Sequence, residues 1–309
     1  MNNSIKKFTD LQFDHMYNDI YNVNRKHIHE SWFDETTVDF WRHDRFYTSI
    51  TPIAEFFKDK KWLTVGDGRY GLDSIKLKNK FNINALPSDL SSSMLEKSKE
   101  DGRILDYSIQ NIEDLSFNDE SFDVVFCKES FHHLPRPIIG LYEMLRVAKE
   151  AVVLIEPLEE PRKPPLNKKK YILCALKLIV SKLINKKISP YIPKDEYYYN
   201  IHDYFEESGN YVYSISLIEL NKIVHALDLG GIAFFRLNDY YKSGIEFEKA
   251  HPESDLFQQI KNQIKSMDQE GIFNTCSVVI FKNKLDQDLK TKMKKFGFIF
   301  PERHINPYI

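Results

Sequence analysis

Short apolar runs alternate with amphipathic stretches along most of this chain. Seven runs have the length and apolar character of strands, at 62–65, 81–86, 104–109, 122–127, 151–155, 231–236 and 275–281. The run FDVVFC at 122–127 is nearly continuous in apolar residues, as expected for a parallel strand that helices cover on both faces. Strands that alternate with helices predict an α/β fold. We expect a doubly wound, mostly parallel, seven-stranded Rossmann-like sheet with one antiparallel strand near the C-terminus.

Helical periodicity marks the segments between these strands. One apolar face is formed by Ile138, Leu141, Tyr142 and Leu145. Their spacing of i, i+3, i+4 and i+7 predicts a helix that opens near Pro137. Ser93 and Glu96 have the spacing of a capping box, which predicts that another helix begins there with Ser93 as its N-cap. Residues 31–57 predict one or two further helices before the first strand.

The pattern divides the chain into four parts. They are an N-terminal helical extension (1–57), a core (58–158 and 212–283), an insertion (159–211) and a C-terminal tail (284–309) with a short basic helix. The insertion carries an apolar helix at 171–184 between groups of lysines. We expect it to form a lid over the substrate or a homodimer contact, since soluble enzymes often cover their substrate sites this way. The alternative is peripheral contact of 168–187 with an anionic membrane surface.

A glycine cluster follows the first strand in the segment WLTVGDGRYG, which contains Gly66, Gly68 and Gly71. Glycines allow a sharp turn and close approach of a ligand to the backbone, and the helix that follows offers free N–H groups. Asp89 ends the second strand 18 positions after Gly71, close to the spacing at which nucleotide-binding folds place a ribose-binding acid. Asp89 could instead cap a helix, but the two features together predict a site for a nucleoside cofactor.

Composition narrows the range of partners. With 43 basic and 45 acidic residues and a net charge of -2, the chain lacks the basic excess of a dedicated nucleic-acid-binding protein. Cys127, Cys174 and Cys276 are far apart in sequence, so we expect three reduced thiols and neither a disulfide framework nor a metal site. The N-terminus has no signal-peptide pattern, and no apolar run is long enough to span a bilayer, which predicts a cytoplasmic protein.

The order of several segments resembles the class I S-adenosylmethionine-dependent methyltransferases. These segments are WLTVGDGRYG, SDLSSSML, IEDLSFNDESFDVVFCKESFHHL, MLRV and VVLIEP, spread over residues 60–157. The similarity is greatest to the methyltransferase-domain family related to the quinone methylases, and EDLSFNDESFDVVFCKESFHHL is the sharpest match. The resemblance implies that S-adenosyl-L-methionine (SAM) is the cofactor and that the core binds it.

The resemblance also implies roles for individual residues. Gly66, Gly68 and Gly71 would shape the loop under the methionine part of the cofactor, and Asp89 would bind the ribose hydroxyls. Leu90, Asn111 and Ile112 would surround the adenine. The floor of the site would be lined by Lys128, Glu129, His132 and His133.

Three positions depart from the family pattern. Thr64 stands where an acidic residue is usual in the first strand, and Asp67 is the candidate to replace its contact with the amino group of the cofactor. The pair Arg69-Tyr70 gives the glycine loop one extra residue. Asn111 stands where aspartate is common, yet an amide oxygen can still accept a hydrogen bond from adenine. Arg42 or Arg45 could bind the methionine carboxylate.

The adjacent histidines invite a catalytic or a metal-binding interpretation. Neighbouring residues on an extended strand point to opposite sides, which argues against a metal centre built from His132 and His133. Histidine titrates in the range of a general base, so either ring, or the Glu129 carboxylate, could accept a proton from a hydroxyl or amine acceptor. The alternative is that these residues form the pocket wall. Glu156 lies at the same carboxyl edge of the predicted sheet.

The sequence therefore predicts methyl transfer from SAM to an O or N atom of a small-molecule, saccharide or lipid-linked acceptor. One alternative is an NAD(P)-dependent reductase on a Rossmann-like fold. Another is a catalytically silent binding partner on a methyltransferase fold, which the departure at Thr64 motivates, since fold does not imply function.

Overall fold

The computed structural model describes residues 31–159 and 215–302. The predicted insertion helix at 171–184, the membrane contact through 168–187 and Cys174 lie outside these residues. Of the helices in the two described ranges, none combines the length and the apolar character needed to cross a bilayer.

A single seven-stranded sheet forms the centre of the described fold. Its strands are β1 (Trp62–Val65), β2 (Ala85–Asp89), β3 (Ser108–Ile109), β4 (Phe122–Lys128), β5 (Ala148–Pro157), β6 (Gly231–Leu237) and β7 (Thr275–Phe281). They lie in the order β3-β2-β1-β4-β5-β7-β6. All neighbouring pairs from β3 to β5 are parallel, whereas β7 runs antiparallel to both β5 and β6. The predicted fold class, including the antiparallel strand, is confirmed.

Helices cover both faces of this sheet. They are α1 (Val38–Ser49), α2 (Thr51–Phe56), α3 (Leu72–Phe81), α4 (Ser93–Glu100), α5 (Pro137–Val147), α6 (Leu217–Ala226), α7 (Asp255–Glu270) and α8 (Gln287–Phe296). A 3-10 turn at Phe131–His133 follows β4. One or two helices were expected within 31–57, and the structure has two there, α1 and α2. The short basic helix expected in the tail is α8.

The second and third predicted strands begin several residues later in the structure than expected. The second was expected at 81–86, but Phe81 ends α3, and the left-handed Asn82 terminates that helix before β2 begins at Ala85. The third was expected at 104–109, yet only Ser108–Ile109 pairs with a neighbour. Apolar residues in short edge segments do not distinguish strand from loop, because pairing depends on a partner distant in sequence.

Two predictions about helices were also wrong in detail. The predicted capping box does not form: Ser92 is the N-cap of α4, and no side chain caps that end. Tyr142 was expected on the apolar face of α5 but is 46% exposed. Leu141 and Leu145 are buried as predicted, together with Met144.

Alternation along the strands builds a core on each face of the sheet. Leu63 and Val65 of β1 face the side covered by α5 and α6. Trp62 faces the opposite side, where α1, α2 and α8 pack. A smaller third cluster joins the start of α1 to the long connection between β6 and β7, through Val38, Ile245, Phe257, Ile260 and Ile264. This connection and α1 therefore stand at the carboxyl end of the parallel strands.

Candidate functional site

The residues singled out from the sequence converge on one edge of the sheet. This edge is formed by the carboxyl ends of β1, β2, β4 and β5, which lie side by side. Ligands of open α/β sheets bind at this edge, in the crevice where the strand order reverses. Here the reversal lies between β1 and β4.

The glycine loop approaches its neighbours more closely than any side chain would allow. A Cβ atom on Gly68 would lie 2.6 Å from the carboxylate carbon of Asp89. Gly66 adopts φ 73°, and a Cβ there would lie 2.4 Å from the Cβ atom of Ser130. The hydroxyl of Ser130 donates to the Gly66 carbonyl at 2.8 Å. The loop after β1 is thus pressed against both the end of β2 and the turn after β4.

Asp89 presents its carboxylate to this loop. The Ser91 N–H donates to Oδ1 of Asp89 at 2.8 Å, and the residue caps no helix, because Ser92 does so. Burial raises the pKa of Asp89 to about 6, although the backbone N–H groups of Ser91, Gly68 and Leu90 act in the opposite direction. A carboxylate offers about four acceptor positions, so Asp89 keeps capacity for further donors.

The segment predicted to surround adenine lies beside Asp89. The Gln110 N–H donates to the Asp89 carbonyl at 2.8 Å and joins the segment after β3 to the end of β2. Asn111 uses its side-chain oxygen to accept the Glu113 N–H at 3.0 Å, which fixes the turn. Ile112 is buried and Leu90 is half-buried. The structure therefore brings Leu90, Asn111 and Ile112 to the same corner as Asp89.

Asp67 has a different environment from the one expected. Its buried carboxylate accepts hydrogen bonds from the N–H groups of Asp73 at 2.9 Å and of Ser74 at 3.0 Å, and from the Ser74 hydroxyl at 2.6 Å. The Thr64 hydroxyl adds a fourth bond at 2.8 Å. Burial and the neighbouring Asp73 carboxylate raise the pKa of Asp67. These bonds direct Asp67 towards the first turn of α3, which counts against the predicted contact with the cofactor.

The same bonds account for the unusual residue in β1. Thr64 is fully buried, and its hydroxyl lies 2.7 Å from that of Ser74 as well as bonding Asp67. Asp67, three residues after Thr64, thus supplies the carboxylate of a buried polar cluster that also contains the hydroxyls of Thr64 and Ser74. Tyr47 of α1 extends this cluster, because its hydroxyl donates a hydrogen bond to the Asp73 carboxylate. Nothing local in the sequence marks Tyr47 and Asp73 as partners, so this hydrogen bond could not be predicted.

A charged cluster lies at the end of β4. Lys128 contacts the Glu129 carboxylate, and its Nζ lies 3.1 Å from Nδ1 of His43 on α1. Although burial opposes both charges, Glu129 and Asp73 raise the pKa of Lys128, while Lys128 and His43 lower the pKa of Glu129 well below its ordinary value. A carboxylate held ionised in this way is a weak base. This counts against Glu129 as the proton acceptor.

The two arginines of α1 are engaged within the protein. Arg42 donates to Asp239 and to Asp39, each at 2.7 Å. Arg45 donates to the carbonyl of Asn238 at 3.0 Å. These bonds hold α1 against the chain that leaves β6, so the expectation that Arg42 or Arg45 binds the methionine carboxylate gains no support.

The adjacent histidines are not on an extended strand. They lie in the 3-10 turn Phe131–His133, and their ring centroids are 4.0 Å apart at an interplanar angle of 39°. The premise that His132 and His133 point to opposite sides was therefore wrong, because a tight turn places successive side chains close together. Within residues 31–159 and 215–302, no group of three or more His, Cys, Asp or Glu side chains is arranged to hold a metal ion.

Glu156 at the end of β5 organises this turn. The carboxylate is fully buried, and its Oε1 accepts the N–H groups of Ser130 and Phe131, both at 3.0 Å. Its Oε2 lies 2.6 Å from Nδ1 of His132. One carboxylate thus binds three successive residues of the turn.

Comparison with known proteins supports the resemblance seen in the sequence. Residues 63–155 match the model of a family described as a methyltransferase domain, which spans less than a third of the chain. No curated protein sequence matches the chain.

Solved structures match the chain at low sequence identity and low structural similarity. The YcgJ protein from Bacillus subtilis is 15% identical, with 77% of this chain and 99% of that chain covered and a TM-score of 0.44. A SAM-dependent methyltransferase from Thermotoga maritima is 13% identical, with 78% and 95% covered and a TM-score of 0.39. These values are too low to transfer an activity from either protein.

Proposed function

We propose that this protein is a SAM-dependent enzyme that transfers a methyl group to an O or N atom of a small-molecule, saccharide or lipid-linked acceptor. The match of residues 63–155 to a methyltransferase-domain model supports this proposal. The observation that carries the proposal is the contact between the glycine loop and Asp89. Gly68 leaves room for the Asp89 carboxylate where any side chain would collide with it. That arrangement suits a ribose whose two hydroxyls bond to one carboxylate.

The described residues fit the cofactor along the carboxyl edge of the sheet. Asp89 would bind the ribose, and Leu90, Asn111 and Ile112 would enclose the adenine. The loop of Gly66, Gly68 and Gly71 would lie under the methionine part, with Lys128 close by at the end of β4. Asp67 would act indirectly, by holding the loop against α3 through its four hydrogen bonds.

The chemistry that the cofactor supplies when bound is an electrophilic methyl group, whose bond to sulfur breaks as the acceptor lone pair bonds to the methyl carbon. The protein then has to orient the acceptor, exclude water and accept the proton that the acceptor loses. His132, His133 and Glu129 were the candidates for the proton acceptor. The ion pair with Lys128 disfavours Glu129, so we assign this role to the histidine pair.

The acceptor class rests on the sequence. The tyrosine-rich stretch after residue 190 would suit sugars or flat rings, since aromatic faces bind both. A homodimer and a peripheral membrane contact are further proposals of the same kind.

Calorimetric titration with SAM, S-adenosylhomocysteine and NADH tests the proposal. We expect both adenosyl ligands to bind and NADH not to bind. Asp89→Ala should weaken binding at least about tenfold, since a hydrogen bond to a charged group contributes about 1.5–3 kcal/mol. Asp114→Ala is the matched control, because Asp114 is exposed in the same region and should leave the affinity unchanged.

The other outcomes have distinct meanings. Binding of NADH alone would replace this proposal with the reductase. Absence of binding by all three ligands in the folded wild-type protein would favour a silent binding partner.

A further inference from the structure

Glu156 is a buried carboxylate that methyl transfer does not require by itself. It is fully buried at the end of β5, where an apolar side chain would serve packing as well or better. Removing a carboxylate from water is costly unless several donors compensate for it. Three of its donors come from the turn after β4: two backbone N–H groups and the His132 ring. The Cys127 thiol of β4 donates to Oε1 as well, at 3.9 Å.

The bond to His132 decides where that ring keeps its basic lone pair. A carboxylate oxygen accepts, so Nδ1 of His132, at 2.6 Å from Oε2, carries the hydrogen. In the neutral ring the lone pair is then on Nε2. A carboxylate that bonds to Nδ1–H fixes the tautomer and the orientation of a histidine ring. The ring can then accept a proton at Nε2 from a defined direction.

The same turn is tied directly to the proposed cofactor loop. Ser130, two residues before His132, donates its hydroxyl to the Gly66 carbonyl at 2.8 Å and lies against the Gly66 α-carbon. Glu156 holds Ser130 and His132 at once, through its two different oxygens. The position of the His132 ring is therefore coupled to the first glycine of the loop by a short chain of hydrogen bonds.

We propose that Glu156 is a positioning residue that presents Nε2 of His132 as the proton acceptor for the methyl acceptor. This inference rests on the proposed function and selects His132 from the three candidate bases. When the acceptor O–H or N–H loses its proton, that proton binds to Nε2, and the resulting imidazolium is stabilised by its Nδ1–H bond to the Glu156 carboxylate. The electron pair of the O–H or N–H bond stays on the acceptor atom, which forms the bond to the methyl carbon.

Long-range ¹H–¹⁵N correlation spectra of protein labelled in histidine test the proposal. The His132 signals are identified by their loss in His132→Gln. We expect the wild-type ring to show N–H at Nδ1 and an unprotonated Nε2. In Glu156→Gln the amide offers a donor to the ring, so the tautomer should shift towards N–H at Nε2. Glu113→Gln is the matched control, because Glu113 is equally a buried carboxylate but bonds Arg136 instead.

A role confined to packing would be recognised by adding S-adenosylhomocysteine. We expect the ligand to move the Nε2 signal of His132 and to leave its Nδ1 signal nearly unchanged. A wild-type tautomer with N–H at Nε2, or one indifferent to Glu156→Gln, would overturn the proposal. So would Nε2 and Nδ1 signals that do not respond to bound ligand.

The proposed function can fail separately from this inference. If calorimetry shows that wild-type protein does not bind S-adenosylhomocysteine, SAM dependence is wrong whatever the tautomer. If the ligand binds and His132 does not respond, SAM dependence stands, and the proton acceptor lies elsewhere.

Discussion

Gly68 and Asp89 touch across the ends of β1 and β2, at a distance that leaves no space for a side chain on the glycine. The Cβ atom of an alanine at position 68 would lie 2.6 Å from the carboxylate carbon of Asp89 and 2.8 Å from each carboxylate oxygen. Two of the residues predicted to contact the cofactor are thus in steric contact with each other. Any side chain at position 68 would displace the Asp89 carboxylate.

Gly68→Ala is expected to displace the Asp89 carboxylate. The binding of S-adenosylhomocysteine should then weaken at least about tenfold, equivalent to about 1.4 kcal/mol. Calorimetric titration measures the effect. Gly102→Ala provides the control, since a Cβ there meets nothing within 4 Å while its φ of 71° imposes strain. That variant should lose about 1 kcal/mol of stability and keep its affinity. Equal affinities in both variants would argue against a ligand at Asp89.

Cofactor affinity should depend on pH through Asp89, whose pKa is raised to about 6 by burial. The ionised carboxylate can accept hydrogen bonds from both ribose hydroxyls. The protonated carboxyl group has fewer acceptor positions for these bonds. Binding should therefore be full well above pH 6 and about tenfold weaker at pH 5. Titrations between pH 5 and pH 8 would show this. Asp89→Asn should bind weakly with no such dependence, and a wild-type affinity constant across the range would contradict the assignment.

Tyr47→Phe should destabilise the fold by about 1–3 kcal/mol, because it removes the hydroxyl that donates to the buried Asp73 carboxylate. Urea unfolding followed by circular dichroism gives the free energy of unfolding. Tyr142→Phe makes the same chemical change at a side chain that is 46% exposed. The free energy of unfolding of Tyr142→Phe should lie within about 0.5 kcal/mol of the wild-type value. Similar losses in the two variants would mean that Tyr47 contributes only packing.

Lys128→Met should lower the free energy of unfolding by about 2–4 kcal/mol, because it removes the buried cation that pairs with the Glu129 carboxylate. Glu129 has a lowered pKa, so the stabilisation is present above the ordinary glutamate pKa and is lost as pH falls through the lower folded value. The difference in the free energy of unfolding between wild type and Lys128→Met should thus be largest above about pH 5 and shrink in more acidic solution. Thermal unfolding at several pH values measures it.

Lys97→Met supplies the comparison for Lys128. Lys97 pairs with Asp101 at 2.8 Å, but its side chain is 50% exposed. An exposed pair contributes about 0–1 kcal/mol. A loss at Lys97 as large as that at Lys128 would show that burial of Lys128 has no special effect.

Much of the fold could be predicted from the sequence because its signals are local. The run 275–281 was predicted with the limits that β7 has, and 122–127 differs from β4 by one residue. A strand covered on both faces needs apolar residues at every position, and such a pattern is visible without knowing its partners. The glycine loop and Asp89 were equally accessible, since their chemistry depends on residue type and short spacing.

Partnerships between distant side chains were decided only by the tertiary structure. His43 meets Lys128 across 85 positions, and Glu156 meets His132 across 24. Asp67 was expected to face the cofactor, but its carboxylate is directed into α3 by four hydrogen bonds. A sequence specifies which groups are available for such bonds. Their direction depends on how helices pack on the sheet and on the backbone angles of single turns.

The sequence by itself determined the class of the fold, the glycine loop after β1 and the acid at the end of β2. The tertiary structure decided that a buried carboxylate on β5 orients His132 and that the acid beside Lys128 is held ionised by that lysine. The physical reason is that local patterns reflect burial, which each segment shows on its own. The behaviour of a titratable group depends on neighbours that only folding brings within hydrogen-bonding distance.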